Sequence, residues 1–168
     1  MKLTFSIASP HDAKEIADLR NSVAEHLTKQ YGHGHWSSMT SERSVQLGIS
    51  NTSKVLTACK EKEIVGTLIL AQRKPWAIDI AYFTPVKNGA LYLLAMAVKP
   101  DQQKNGIGKQ LITEAKKLTV EWPAEAIRLD AYDAAAGGGE FYRKSGFTER
   151  GRVMYRNVPL IYFEMILS

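Results

Sequence analysis

The run Ala90-Leu91-Tyr92-Leu93-Leu94-Ala95-Met96-Ala97-Val98 has no charged residue and, apart from one phenol hydroxyl, no polar side-chain atom. A strand with one wet face alternates apolar and polar residues. One that does not alternate needs cover on both faces. A chain holding this segment is therefore expected to build a sheet with helices on its two sides. Lys99-Pro100-Asp101 breaks the run, and a helix begins near Gly106, with Ile107, Leu111, Ala115, Leu118 and Trp122 as its apolar stripe and Pro123 as its stop.

The rest of the chain supplies the partners. Leu3, Phe5 and Ile7 alternate as in a half-buried first strand. Ser9-Pro10-His11-Asp12 starts a helix: Ser9 can cap, Pro10 tolerates the first position and Asp12 suits the first turn. Ile16, Leu19, Val23 and Leu27 follow at helical spacing, and a Gly/His/Ser loop from Tyr31 to Ser38 ends it. Thr40 or Ser41 opens a short second helix through about Ile49. Strands at 53–59 and 64–73, joined across Glu61-Lys62-Glu63, read as an antiparallel hairpin. Residues 77–83 either extend the second of these or leave it as an irregular excursion, before turns at Thr84-Pro85 and Asn88-Gly89. A strand at 126–131, a short helix at 137–145 and strands at 153–155 and 160–167 close the chain. The order is β, αα, βββ, α, β, α, ββ, that of an α/β or α+β domain with a mixed sheet.

At 168 residues the chain fits a single domain, read over residues 1–168, with enough length for a core without disulfides or metals. Cys59 is the lone cysteine, which fits a reducing compartment. The start lacks the apolar run of a signal peptide, and no window reaches a membrane span of roughly 20 apolar residues. These features point to the cytoplasm. The net charge of +5 suits nucleic acid, an anionic membrane or a phosphate-rich small molecule. Basic residues cluster only in pairs such as Lys116-Lys117 and Arg143-Lys144, without the stripe that nucleic acid requires.

The segment Val98 to Lys109 carries the chemistry. A strand runs through a glycine-containing loop into a helix whose first N–H groups lack partners and carry the positive end of the dipole. That is an anion site. Gly106 and Gly108 are expected to admit a pyrophosphate close to the backbone, and Lys104 and Lys109 add charge. A Gly-x-Gly pair alone is weak evidence; its place at a strand–helix junction beside lysines strengthens it. It completes neither a Walker loop nor a dinucleotide fingerprint.

Gln103-x-x-Gly106-x-Gly108 resembles the Arg/Gln-x-x-Gly-x-Gly/Ala motif of the GNAT superfamily of N-acetyltransferases, and Phe141-Tyr142-Arg143-Lys144-Ser145-Gly146-Phe147 resembles its later helix-and-turn motif. The gap between the motifs and the order of elements agree. The resemblance implies a GNAT-like mixed sheet of about six to seven strands with about four helices, and acetyl-CoA as co-substrate without a metal. It implies main-chain contacts from Met96, Ala97 and Val98 to the pantetheine arm. The residues Gln103, Lys104, Asn105, Gly106, Ile107, Gly108 and Lys109 would hold the pyrophosphate. A strand N–H would polarise the acetyl carbonyl, the amine would attack directly, and Tyr142 would protonate the thiolate. Tyr142 read for itself is equally a core tyrosine. The family's pantetheine-bonding asparagine falls at Ala135 here, and Asp133 stands close enough in sequence to substitute.

The base is open among Asp79, Asp130, Glu164, His33 and His35, with a water relay as the default. Tyr31, His33, His35 and Trp36 are expected to line the acceptor pocket, with a core-plugging Trp36 as the alternative. The acceptor is a small-molecule amine, favoured over a protein amine. Neither nucleic acid nor membrane is expected as a partner, and a homodimer is compatible with the sequence. The competing function is a non-catalytic CoA-binding regulatory module.

Overall fold

The computed structural model describes residues 2–167. Its sheet has strands β1 (Thr4–Ile7), β2 (Ser53–Lys60), β3 (Glu63–Ala71), β4 (Ala90–Val98), β5 (Ala126–Tyr132), β6 (Thr148–Tyr155) and β7 (Val158–Ile166), in the spatial order β1-β2-β3-β4-β5-β7-β6. Every neighbouring pair is antiparallel except β4 and β5, which run parallel. The helices are α1 (Ala13–Tyr31), α2 (Glu42–Gly48), α3 (Ile107–Leu118) and α4 (Gly139–Lys144).

Strand parity assigns the faces. Leu91, Leu93, Ile127, Leu129, Ile161 and Phe163 join Leu111, Ile112 and Ala115 of α3 in the main core, against which Phe141 and Tyr142 of α4 also pack. The opposite face is split. Ile16, Ala17 and Leu19 of α1 pack with Val45 of α2 on Val55 and Ile64. Ile78 and Phe83 cover Tyr92 and Tyr162 further along. This is the mixed sheet with flanking helices that the sequence pattern requires.

Both hairpins turn on two residues with positive φ, Glu61 (52°) and Lys62 (69°) between β2 and β3, Arg156 (48°) and Asn157 (67°) between β6 and β7. Consecutive positive φ values match the right-handed twist of the flanking strands. Ser41 caps α2, its hydroxyl accepting from the Ser44 N–H at 3.0 Å.

Several boundaries move for physical reasons. Residues 10–12 form a 3₁₀ turn, tied by the Ser9 N–H donating to Asp12, and α1 starts after it. β3 stops at Ala71, and the excursion reading of 77–83 holds, with a 3₁₀ turn at Ile80–Tyr82. α3 ends at Leu118; Trp122 still packs on the core, beneath Lys54. α4 begins at Gly139, because Ala134–Gly137 makes a turn in which a Cβ on Gly137 would lie 1.9 Å from the Tyr132 carbonyl oxygen. β6 is longer than its apolar residues suggest, since an exposed edge strand needs no apolar signal. No helix among the described residues is long and apolar enough to cross a membrane.

Candidate active site

β4 and β5 pair only at Ala90↔Ala126, Leu91↔Ile127 and Tyr92↔Arg128. β5 then follows β7 as far as Tyr132↔Leu160, while β4 follows β3 as far as Gly66↔Val98. The two strands diverge, and a gap opens in the middle of the sheet. On its β4 side, Ile69↔Leu94 and Thr67↔Ala97 leave one extra residue on β4, and Ala95 adopts φ 50°. This is a β-bulge, which turns main-chain groups out of the ladder. The both-faces-covered reading of β4 therefore holds for Leu91 to Leu93 and fails beyond: Ala95 is exposed, and Leu94 and Met96 are half-buried.

Below the gap lies the anion cradle. α3 begins after Gly106, whose φ of 82° is left-handed. A Cβ there would meet nothing closer than the Gln110 amide at 4.0 Å, so the position opens on free space, where an incoming phosphate has room. Gly108 is small for a packing reason that the sequence does not show. A Cβ on it would lie 2.8 Å from the Phe141 ring, so the residue sets the contact of α3 with α4. The Ile107 side chain is core, leaving its N–H as what it can offer a ligand. Gln103 donates to the Val98 carbonyl at 3.0 Å, fastening loop to strand and occupying that carbonyl. Lys104, Asn105 and Lys109 are exposed around the helix start.

Acidic and phenolic groups stand above the cradle. Tyr142 packs edge-on to Phe141 and Phe147 and tilted on Phe163. Burial, with the Asp130 carboxylate as the smaller influence, pushes its hydroxyl well above the ordinary phenol pKa. The phenol therefore stays protonated. Asp130 shares strand parity with Arg128 and Tyr132, on the face opposite α3. Its carboxyl is raised by burial, and its negative charge reaches Tyr132, Tyr142 and Tyr162.

The other acids are committed. Glu164 pairs with Arg128 at 3.0 Å, both side chains almost wholly buried, and accepts from the Thr84 N–H. Arg128 also donates to the Thr84 carbonyl at 2.7 Å. Asp79 accepts from the Ala81 N–H in the 3₁₀ turn. Asp133 pairs with Arg152 of β6 at 3.3 Å and lines a cavity with Glu140 and Arg143.

A family model for the acetyltransferase (GNAT) domain matches residues 51–149. The chain belongs to the GNAT acetyltransferase family. It is an enzyme of the N-acetyltransferase class. Comparison with curated protein sequences gives no match. Three solved structures share the GNAT fold over nearly the whole chain. PaiA N-acetyltransferase from Thermoplasma acidophilum, in complex with coenzyme A, aligns with TM-score 0.75 and 16% identity, covering 99% of this chain and 100% of that one. The ribosomal-protein-S18-alanine N-acetyltransferase from Escherichia coli gives 0.73 and 14%, covering 99% and 95%. An aminoglycoside 6'-N-acetyltransferase complexed with coenzyme A gives 0.69 and 18%, covering 97% and 96%.

The segment from Tyr31 to Trp36 divides. His35 stacks on Tyr132 at 6.1 Å, and its carbonyl accepts from the Tyr132 hydroxyl at 3.2 Å. Trp36 approaches the same ring edge-on, yet it does not plug the core: it folds over Gly34 and donates to the Gly32 carbonyl at 2.9 Å. Tyr31 and His33 are exposed, and the Tyr31 hydroxyl accepts from its neighbour Gln30. Sequence reasoning missed a cavity of about 520 Å³ beside Leu94, lined by Gly48, Ile69, Arg73, Lys74 and Trp76, with Trp76 88% exposed. The Arg-Lys-Pro-Trp string was the available signal; an exposed tryptophan after a strand invites a surface role.

Proposed function

We propose that the protein transfers an acetyl group from acetyl-CoA directly to the amine of a small molecule, with residues 1–168 acting as one domain. The observation that carries this is the gap between β4 and β5, bulged at Ala95, with a protonated phenol on one side and a carboxylate on the other.

In this reading the start of α3, with Lys104 and Lys109, holds the pyrophosphate through N–H groups at positive potential. The main chain of Met96 and Ala97 pairs with the pantetheine arm, and an N–H at the bulge polarises the thioester carbonyl. Asp130 takes the proton from the ammonium. The free amine attacks the thioester carbon, a C–N bond forms and the C–S bond breaks. Tyr142 donates its hydroxyl proton to the departing thiolate, and the proton shed by the nitrogen restores the balance. The raised pKa of Tyr142 is compatible with that task, because a thiolate leaving in the same desolvated gap is itself made more basic. Asp130 suits the base role for the same reason: burial moves its pKa towards the working range.

The cavity beside Leu94 has the volume of a small-molecule site, which favours a small acceptor over a protein chain. The two proton-handling groups count against a non-catalytic CoA-binding module. The test is free-thiol release from acetyl-CoA across a panel of amines, with thermal-shift titration of acetyl-CoA alongside. Stabilisation together with amine-dependent thiol release is expected. Stabilisation without turnover on any amine would favour the binding module, and no stabilisation at millimolar acetyl-CoA would end the reading.

A further inference from the structure

Arg20 has no task in the reaction above, and its placement is unusual. On the helical wheel it lies in the middle of the inward stripe of α1, in phase with Ala13, Ile16, Ala17 and Ala24, all buried. Lysines and arginines on such a stripe ordinarily lead their charge out to water. Here Nε and Nη2 of Arg20 are buried without a hydrogen-bond partner, the only side-chain nitrogens or oxygens in that condition among the described residues. Burial alone acts on the guanidinium and lowers its pKa, with no carboxylate offsetting it. It remains charged regardless.

The surroundings indicate what it waits for. α1 packs on β3, on β4 and on the turn at His35–Ser37. Two turns after Arg20, Thr28 shares a hydrogen bond with Ser37, in the loop that brings His35 to Tyr132. Arg20 therefore points inward from the helix that covers β3, β4 and that loop, on the face of the sheet that carries Asp130. The cavity on that face is lined by Arg73 and Lys74 and by no acid. Glu164 is consumed by Arg128, so Asp130 is the one uncommitted carboxylate beside the gap.

We propose that the acceptor is an amine bearing its own carboxylate, of the amino-acid class, held by Arg20 through a two-pronged charge-assisted pair while its amine faces Asp130. This deepens the N-acetyltransferase reading and rests on it. A guanidinium fork matches a carboxylate in both geometry and charge. A polycationic acceptor of the aminoglycoside kind would meet Arg73 and Lys74 in a cavity without an acid to receive it.

The probes are the standard amino acids, their α-amides and their decarboxylated amines, assayed by thiol release on the wild type and on Arg20→Met, which keeps the length of the stem and removes the charge. A site built to bind a polar group rejects analogues lacking it strongly, so the wild type is expected to prefer amino acids over their amides by at least about 100-fold in kcat/KM. Arg20→Met is expected to abolish that preference, to leave acetyl-CoA affinity unchanged, and to melt no lower than wild type, since a half-buried, unpaired charge is replaced by an apolar chain. Equal use of amino acids and amides by the wild type overturns the proposal. So does a variant that melts markedly lower with its preference intact, which makes Arg20 structural. A second measurement separates this from the parent reading. N-acetylglycine should raise the melting temperature of the wild type, N-acetylglycinamide should not, and neither should act on Arg20→Met. This readout needs no turnover. If acetyl-CoA fails to bind, the reading of the enzyme falls on that result alone; if N-acetylglycine gives no shift, the Arg20 site falls on this one.

Discussion

Arg128 and Asp130 lie two residues apart on the same face of β5, and the fold treats them in opposite ways. Arg128 sits at the closed end of the β4–β5 seam and is bound on every side: by Glu164, by the Thr84 carbonyl, and by the Phe83 ring 5.0 Å away. Asp130 sits where the strands have parted, and burial raises its pKa with no cation offsetting it. The closed end satisfies its charges and fastens the 77–84 excursion to the sheet. The open end leaves charge unspent at a cost in stability, as sites prepared for a ligand do.

Removing the partner at the closed end should have the largest effect. Glu164→Ala strands a buried guanidinium, and unfolding in urea is expected to show a loss of roughly 3–5 kcal/mol. If the loss is under about 1 kcal/mol, the closed end is not the anchor described here.

At the open end the expected effects are on rate. Tyr142→Phe keeps the ring packing and removes only the hydroxyl. Its turnover should fall roughly 100- to 10,000-fold, with acetyl-CoA affinity near normal in calorimetry. Near-normal turnover would mean that water or another group protonates the thiolate.

Asp130→Asn sharpens the contrast through its pH dependence. The carboxyl must be ionised to accept a proton, so kcat/KM should rise through its raised pKa, and the acidic limb should vanish in the variant. The effect on stability has the reverse sign to the usual carboxylate. A pKa raised in the folded state means that folded protein binds more protons than unfolded, so stability falls as pH rises from the ordinary aspartate range through the raised value. Asp130→Asn should therefore melt higher than wild type at neutral pH, with the difference closing in acid. A variant that melts lower at neutral pH would indicate a buried partner for Asp130.

The smallest effect tests the cradle. Gly106→Ala must adopt φ 82° with a Cβ, a strain of about 1–2 kcal/mol, and it projects a methyl into the space kept for phosphate. Acetyl-CoA affinity should weaken more than the melting temperature suggests. Equal losses in both would make Gly106 a turn residue only.

How much of this was legible follows from which residues carry the signal. The strand–loop–helix junction could be read because breaks and turns are written in Pro100 and Gly106, whereas the packing demand on Gly108 could not, since it depends on Phe141, distant in sequence. The gap could not be read, because the bulge is at an alanine within an apolar run and nothing in that residue type marks it. Asp130, Asp79 and Glu164 were equivalent as letters. Only long-range pairing separates them, by giving Glu164 to Arg128 and Asp79 to its own turn. Arg20 was hidden in a stripe read from its aliphatic members, although its phase with Ile16 and Ala24 was available. Of the segment proposed from sequence for the acceptor, the structure gives the packing: Gly32 has φ 85°, and His35 and Trp36 meet Tyr132.

The bulge at Ala95 has a consequence for how such a chain can change over time. A pocket wall built from peptide groups is not erased by exchanging one side chain for another, provided the strand keeps its extra residue. Drift can then run freely through the side chains along β4 and α3, so long as the core stays filled. Families that recognise a constant molecule in this way leave little trace in their letters. In the reading proposed above, the groups that would act as side chains, Arg20 and Asp130 among them, are the ones on which replacement can act, and so the ones through which the molecule modified could change.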